Sequence, residues 1–129
     1  REIEICACRP WNPSGIMVEK GQEYDFQIIQ DQQMEAWIDG STEATPLNGW
    51  TGKMETTIGY LVGFLKRSDK ANWYALIGTV GQSDQDSFQV SLKSVVMTAR
   101  GELYFFANDM EGRYFNNKGF IKLKISRVK

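Results

Sequence analysis

Oxygen-bearing side chains are concentrated in residues 108–119, a segment between two stretches whose residues favour β-strands. Asp109 offers a carboxylate there, and Asn116 and Asn117 offer amide oxygens. A loop can add backbone carbonyl oxygens, and calcium takes about six to eight oxygen ligands in a flexible geometry. Asn, Asp and Gly are also ordinary turn formers, so composition alone fits either a calcium loop or a turn-rich hairpin.

The chain contains no histidine among its 129 residues. This excludes Ser-His-Asp and Cys-His nucleophile systems and imidazole zinc sites. Two cysteines are too few for a Cys-rich zinc site, so any metal would be held by oxygen ligands. Acidic pairs occur at Asp84 and Asp86 and at Asp109 and Glu111, but no nucleophile is paired with a base. We therefore expect no catalytic activity.

Length and charge narrow the class of protein further. A chain of 129 residues predicts a single domain, residues 1–129. Its 15 basic and 16 acidic residues give a net charge of −1, which argues against a nucleic-acid surface. No apolar run is long enough to predict a membrane span. Because the chain starts at Arg1 without a Met, we expect a processed end or a domain of a longer protein.

The two cysteines, Cys6 and Cys8, fall in a stretch that alternates apolar and polar residues. In an extended strand, residues two apart share a face and their Cα atoms lie about 6.5–7 Å apart, at the limit of disulfide geometry. We therefore predict two thiols rather than a bridge. They are interpreted as small core or interface residues and indicate nothing about the cellular compartment.

Short alternating or apolar stretches separated by turn residues predict an all-β protein, specifically an antiparallel β-sandwich. We expect a turn at residues 11–15, a long loop at 39–52 and irregular structure, with at most one helical turn, at 54–65. The terminal strands are predicted to lie inside the sheets. The predicted strands are residues 1–8, 16–18, 24–28, 34–38, 73–78, 88–92, 94–98, 103–107 and 120–125. The predicted core residues are Phe26, Ile28, Trp73, Leu76, Ile77, Leu103, Phe105, Leu123 and Ile125.

Written as N-D-x-x-G-x-Y-x-N-N-x-G, residues 108–119 resemble the calcium loop of the small bacterial galactose-binding lectins of the LecA type. An aromatic-rich strand before the loop and an alternating strand after it strengthen the resemblance. It implies a galactose-binding-domain-like jelly roll, a β-sandwich of two antiparallel sheets. It also implies one calcium ion per domain, with sugar hydroxyls completing the coordination.

Position by position, the resemblance implies a ligand set for the metal. Asp109 would provide a carboxylate, Asn116 and Asn117 side-chain oxygens, and Arg113 a backbone carbonyl. An earlier loop provides a further carbonyl in those lectins, and residues 37–41 are the nearest candidates here. Because one certain carboxylate is few, Asp39 or a hydroxyl of the ligand is expected to contribute.

Two tryptophans near the long loop are candidates for stacking on a sugar. Trp37 and Trp50 either pack on a pyranose face or are buried in the sandwich. The lectins also place a His and a Gln against the sugar, but this chain has no His, so the ligand is predicted only as galactose-like or another carbohydrate. The predicted ligand-binding residues are Asp109, Met110, Asn116, Trp50, Trp37 and Asp39.

A second resemblance supports a different function. Residues 67–78, R-x-x-x-A-N-W-x-x-L-I-G, resemble a lectin-like accessory domain attached to larger bacterial enzymes. The alternative to a carbohydrate-binding module is therefore a structural accessory or protein-interaction domain, linked to a catalytic domain, that has lost sugar binding. Either could be secreted, periplasmic or part of a larger bacterial protein, so the compartment stays open.

Overall fold

A computed structural model describes residues 1–29, 75–108 and 119–129 with their side chains, and the backbone of residues 38–39, 42–45, 49–50 and 117–118. These residues form twelve strands and one 3-10 turn, Asp84–Asp86. No helix in these ranges is long and apolar enough to cross a membrane. The strands are β1 (Glu2–Cys6), β2 (Asn12–Val18), β3 (Glu23–Ile29), β4 (Ile38–Asp39), β5 (Thr42–Thr45), β6 (Gly49–Trp50), β7 (Leu76–Val80), β8 (Ser87–Gln89), β9 (Val95–Val96), β10 (Gly101–Ala107), β11 (Asn117–Lys118) and β12 (Phe120–Arg127).

Two four-stranded antiparallel sheets form the body of the fold, which confirms the all-β prediction. One sheet has the strand order β1-β12-β3-β9, and the other has the order β2-β10-β7-β8. A third set of short strands has the order β11-β4-β5-β6. The last strand, β12, lies inside its sheet as predicted. The first strand, β1, is instead the outer strand of that sheet among the described residues.

The main core lies between the two larger sheets. The Phe26 ring of β3 contacts Phe105 of β10 and Phe88 of β8, with centroids 5.8 and 5.4 Å apart. Alternation along β12 buries Ile121, Leu123 and Ile125, as a strand with one apolar face requires. The described core predictions are confirmed as buried, except that Ile28 is only partly buried at the margin; Trp73 lies outside the described residues.

The predicted turn at residues 11–15 is wrong, because these residues belong to β2 apart from Trp11. Pro13 has no N–H to donate, but among the strands that the structure describes β2 is the outer one of its sheet, where Pro is tolerated. Gly15 adopts a φ of 73° where the register between β2 and β10 shifts. The two turn-forming residues therefore mark an edge and a bulge within a strand.

The predicted loop at residues 39–52 is also partly wrong. Asp39 ends β4, and the backbone of β5 and β6 follows within that range. Ile38 pairs with Glu43, and Ala44 pairs with Trp50, so the chain folds back on itself twice. Local composition here is typical of turns, and cross-strand hydrogen bonds override it. The predicted irregular segment at 54–65 lies outside the described residues.

The prediction of two thiols is wrong as well, because Cys6 and Cys8 form a disulfide. β1 ends at Cys6, and a turn closed by a 3.2 Å hydrogen bond from Arg9 N–H to the Cys6 carbonyl follows. The turn brings the two Cα atoms to 5.1 Å. This is within the range that a disulfide needs, whereas the fully extended chain assumed from the sequence would have held them farther apart.

Candidate functional site

The oxygen-rich loop, residues 108–119, begins directly after the end of β10. Asn108, directly after that strand, is fully buried, and its N–H donates to the carbonyl of Ala75 at 2.9 Å. Ala75 in turn directly precedes β7, the central neighbour of β10. The loop therefore starts from a fixed point on the second sheet, at the residue where the predicted calcium motif begins.

The loop re-enters the described structure at β11. Asn117 lies opposite Asp39 of β4, and Lys118 lies opposite Ile38. Gly119 follows with a φ of 108°, which favours glycine, and its carbonyl accepts the N–H of Ala7 at 3.0 Å. The end of the loop is thus held by backbone bonds to both β4 and the turn after β1.

The register of the small sheet gathers three of the predicted site residues. Directly opposite residues share a face of an antiparallel pair, and residues two apart on one strand do as well. Following these rules from β11 to β6, one face of the sheet carries Asn117, Asp39, Thr42, Ala44 and Trp50. Asn117 and Asp39 were predicted for the metal and Trp50 for the sugar. We call this set of five positions the shared face.

The spacing between strands shows which positions of the shared face are neighbours and which are far apart. Opposite Cα atoms in an antiparallel pair lie about 4.5–5.5 Å apart, so the backbones of Asn117 and Asp39 are direct neighbours across the two strands. Trp50 lies three strand spacings from β11, roughly 14 Å away. Calcium is bound by oxygen atoms at about 2.3–2.6 Å, and the indole of Trp50 offers none, so Trp50 is not a candidate metal ligand. Only a larger ligand that extends across the shared face could reach it.

The remaining predicted site residues lie outside the described residues. They are Asp109, Met110, Arg113, Asn116 and Trp37. Of the predicted carbonyl-bearing stretch at 37–41, the described part is β4, Ile38–Asp39. The oxygen donors of the loop are carboxylates and amides, which is the donor chemistry that calcium selects.

Sequence reasoning missed Asn12, the polar residue that supports this region. Asn12 is 3% exposed, its Oδ1 accepts the N–H of Cys6 at 3.0 Å, and its Nδ2 donates to the carbonyls of Cys6 and Phe105, both at 3.0 Å. Asn12 therefore links β1 to β10 at Cys6. The next residue, Ala7, donates its N–H to the carbonyl of Gly119 at the end of the loop. An Asn followed by Pro is also a common turn signal, so the sequence alone did not distinguish a buried tie from a turn.

Comparisons with known proteins bear on the fold. No protein-family model matches the sequence, and no curated protein matches it. Among solved structures, the chain is similar to the EclA N-terminal domain, described as a PllA-like lectin. The TM-score is 0.65 at 13% sequence identity, over 98% of this chain and 95% of that chain. The chain therefore has a lectin-like β-sandwich fold.

Proposed function

We propose that this chain is a non-catalytic carbohydrate-binding module that recognises sugar through a calcium ion held by the 108–119 loop. The observation that carries the proposal is the register of β11 against β4, which sets Asn117 opposite Asp39. Two segments that the resemblance implies as sources of oxygen ligands are therefore neighbours in the fold. The lectin-like architecture, which covers nearly the whole chain, supports the same function.

The proposed ligand set consists of oxygens only. Asp109 and Asp39 supply carboxylates, Asn116 and Asn117 supply amide oxygens, and Arg113 supplies its backbone carbonyl. Calcium in such a site would fix the loop and attract electron-rich hydroxyl oxygens of a sugar. With at most two carboxylates the site is expected to bind weakly, with a Kd of about 0.1–1 mM, the range of extracellular modules.

The shared face gives the sugar a second surface to contact. A carbohydrate coordinated through its hydroxyls near Asn117 and Asp39 can extend along this face toward Trp50. Aromatic rings pack against the C–H face of a pyranose, which adds apolar contact to the polar coordination. Selection among sugars then depends on residues other than histidine, because the chain has none.

Thermal unfolding with and without calcium tests the proposed calcium binding separately from sugar binding. A ligand that binds only the folded state stabilises it by mass action, so millimolar calcium is expected to raise Tm by about 3–7 °C. Excess chelator should reverse the shift, and magnesium at the same concentration should give a smaller one, because it dehydrates reluctantly and demands stricter geometry. A Tm that is insensitive to calcium would contradict the proposal and favour a metal-free accessory domain.

A further inference from the structure

We propose that the Cys6–Cys8 disulfide is a site of thiol–disulfide exchange with low-molecular-weight thiols, and that Cys8 is the sulfur they attack. The bridge closes a ring of only three residues at the C-terminal end of β1. A short ring restricts the unfolded chain little, so this disulfide contributes little as a structural staple. Its placement and contacts instead fit a bond that opens and closes in the folded protein.

Access to the two sulfurs is unequal. Cys8 is exposed, whereas Cys6 is 4% exposed and belongs to the buried end of β1. A thiolate must approach the sulfur it attacks along the S–S axis, so solvent access decides which sulfur reacts. Attack at Cys8 is open from solvent, and attack at Cys6 is blocked by the core.

Cys6, the sulfur that leaves when Cys8 is attacked, accepts a hydrogen bond. The backbone N–H of Cys8 donates to Sγ of Cys6 at 3.1 Å. A hydrogen bond donated to a sulfur stabilises the negative charge that develops on it as the S–S bond breaks. When Cys8 is attacked, Cys6 is the sulfur that leaves, and this N–H is already directed at it.

The turn keeps its shape without the S–S bond. Asn12 holds the N–H and the carbonyl of Cys6, both at 3.0 Å, and its Nδ2 also donates to the carbonyl of Arg9 at 3.3 Å. These bonds clamp the chain on both sides of Cys8. The two thiols would stay near each other after reduction, which favours closure over reaction with a second protein.

The exchange balances as two thiol–disulfide steps. A small thiolate forms an S–S bond to Sγ of Cys8, the Cys6–Cys8 bond breaks, and its electron pair leaves on Cys6, which takes up a proton. A second small thiolate attacks the sulfur of the first on the mixed disulfide, so Cys8 leaves as a thiolate and an oxidised small disulfide is released. In the reverse direction, the Cys6 thiolate attacks Cys8 of the mixed disulfide and expels the small thiolate.

Glutathione tests both the reaction and its direction. The wild-type chain is incubated with millimolar reduced glutathione without denaturant, quenched in acid, alkylated and mapped by mass spectrometry. We expect alkylated Cys6 together with glutathione or alkylation on Cys8, and a cooperative thermal transition that persists. A bridge that opens only in denaturant would overturn the proposal, as would glutathione found on Cys6.

Two matched variants separate the sulfurs. In Cys6→Ser the remaining thiol is exposed, and in Cys8→Ser it is buried. With oxidised glutathione, Cys6→Ser should form the mixed disulfide at least about tenfold faster than Cys8→Ser, because reactivity follows exposure. Equal rates in two variants with native-like melting would overturn the assignment of Cys8. If either variant fails to fold, the position of glutathione on the wild-type chain decides alone.

Discussion

Asn117 lies directly opposite Asp39 where β11 pairs with β4. The two residues are far apart in the sequence. Their pairing places the end of the oxygen-rich loop beside β4, the first of the three consecutive short strands β4, β5 and β6. In the proposed calcium site, Asp39 is the candidate for a second carboxylate from outside the loop. This relationship makes the candidate site a property of the fold rather than of one motif.

A double-mutant cycle on Asp39→Asn and Asn117→Ala tests whether the two residues serve one ion. Each single variant should weaken calcium binding, and the two effects should be non-additive by about 0.5–3 kcal/mol, as for groups that share a partner. Calcium affinity is measured by isothermal titration. Asp25→Asn, an exposed carboxylate change on β3, is the control and should leave affinity unchanged. Strict additivity would contradict a shared ion.

Asp109→Ala tests the central ligand that the sequence resemblance implies. The variant should lose the calcium-dependent rise in Tm, because the loop loses its one carboxylate in the expected ligand position. Its Tm in chelator should stay close to that of the unaltered chain, since no metal contributes there. Retention of the full calcium response would locate the ion elsewhere and remove the basis for the proposed ligand set.

Asn12→Ala is expected to destabilise the fold by about 2–4 kcal/mol, because it leaves the Cys6 N–H and the Phe105 carbonyl without their partner in the interior. The free energy of unfolding is measured by denaturant titration. Gln27→Ala, which truncates an exposed amide on β3, is the control and should cost less than about 0.5 kcal/mol. Equal costs for the two variants would show that the Asn12 contacts do not support the fold.

The same substitution at two leucines tests the core. Leu76→Ala removes a fully buried side chain from β7 and should cost about 2–5 kcal/mol. Leu92→Ala removes a side chain that is 91% exposed and should change stability by less than about 0.5 kcal/mol. Both values come from denaturant titration at the same pH. A loss at Leu76 as small as that at Leu92 would mean that the strand register is wrong.

Regular alternation made the terminal part of the fold predictable. β12 alternates apolar and polar residues over its length, and the structure buries the predicted face. β2 was missed because Pro13 and Gly15 signal a turn locally, whereas the sheet uses them at an edge and a bulge. Local propensity cannot show which edge of a sheet a strand will occupy.

The sequence predicted the part of the candidate site that lies in one continuous segment, but not the part that depends on pairing between distant strands. The spacing of Asn and Asp in residues 108–119 identified the loop, and the structure fixes its two ends at Asn108 and Gly119. The pairing of Asn117 with Asp39 was not predictable, because the register between distant strands is set by packing of the whole chain. The hydrogen bonds of Asn12 and the Cys6–Cys8 disulfide both depend on the turn after Cys6. The alternating pattern predicted a continuous strand there, so neither was expected.

Binding to a glycan array, measured in calcium and again in chelator, tests the central proposal most directly. We expect binding to at least one class of glycan in calcium, loss of that binding in chelator and its return when calcium is restored. Asp109→Ala, confirmed as folded by its thermal transition, should bind no glycan in either condition. Absence of glycan binding in calcium, or binding that persists unchanged in chelator, would contradict a carbohydrate-binding module that works through calcium.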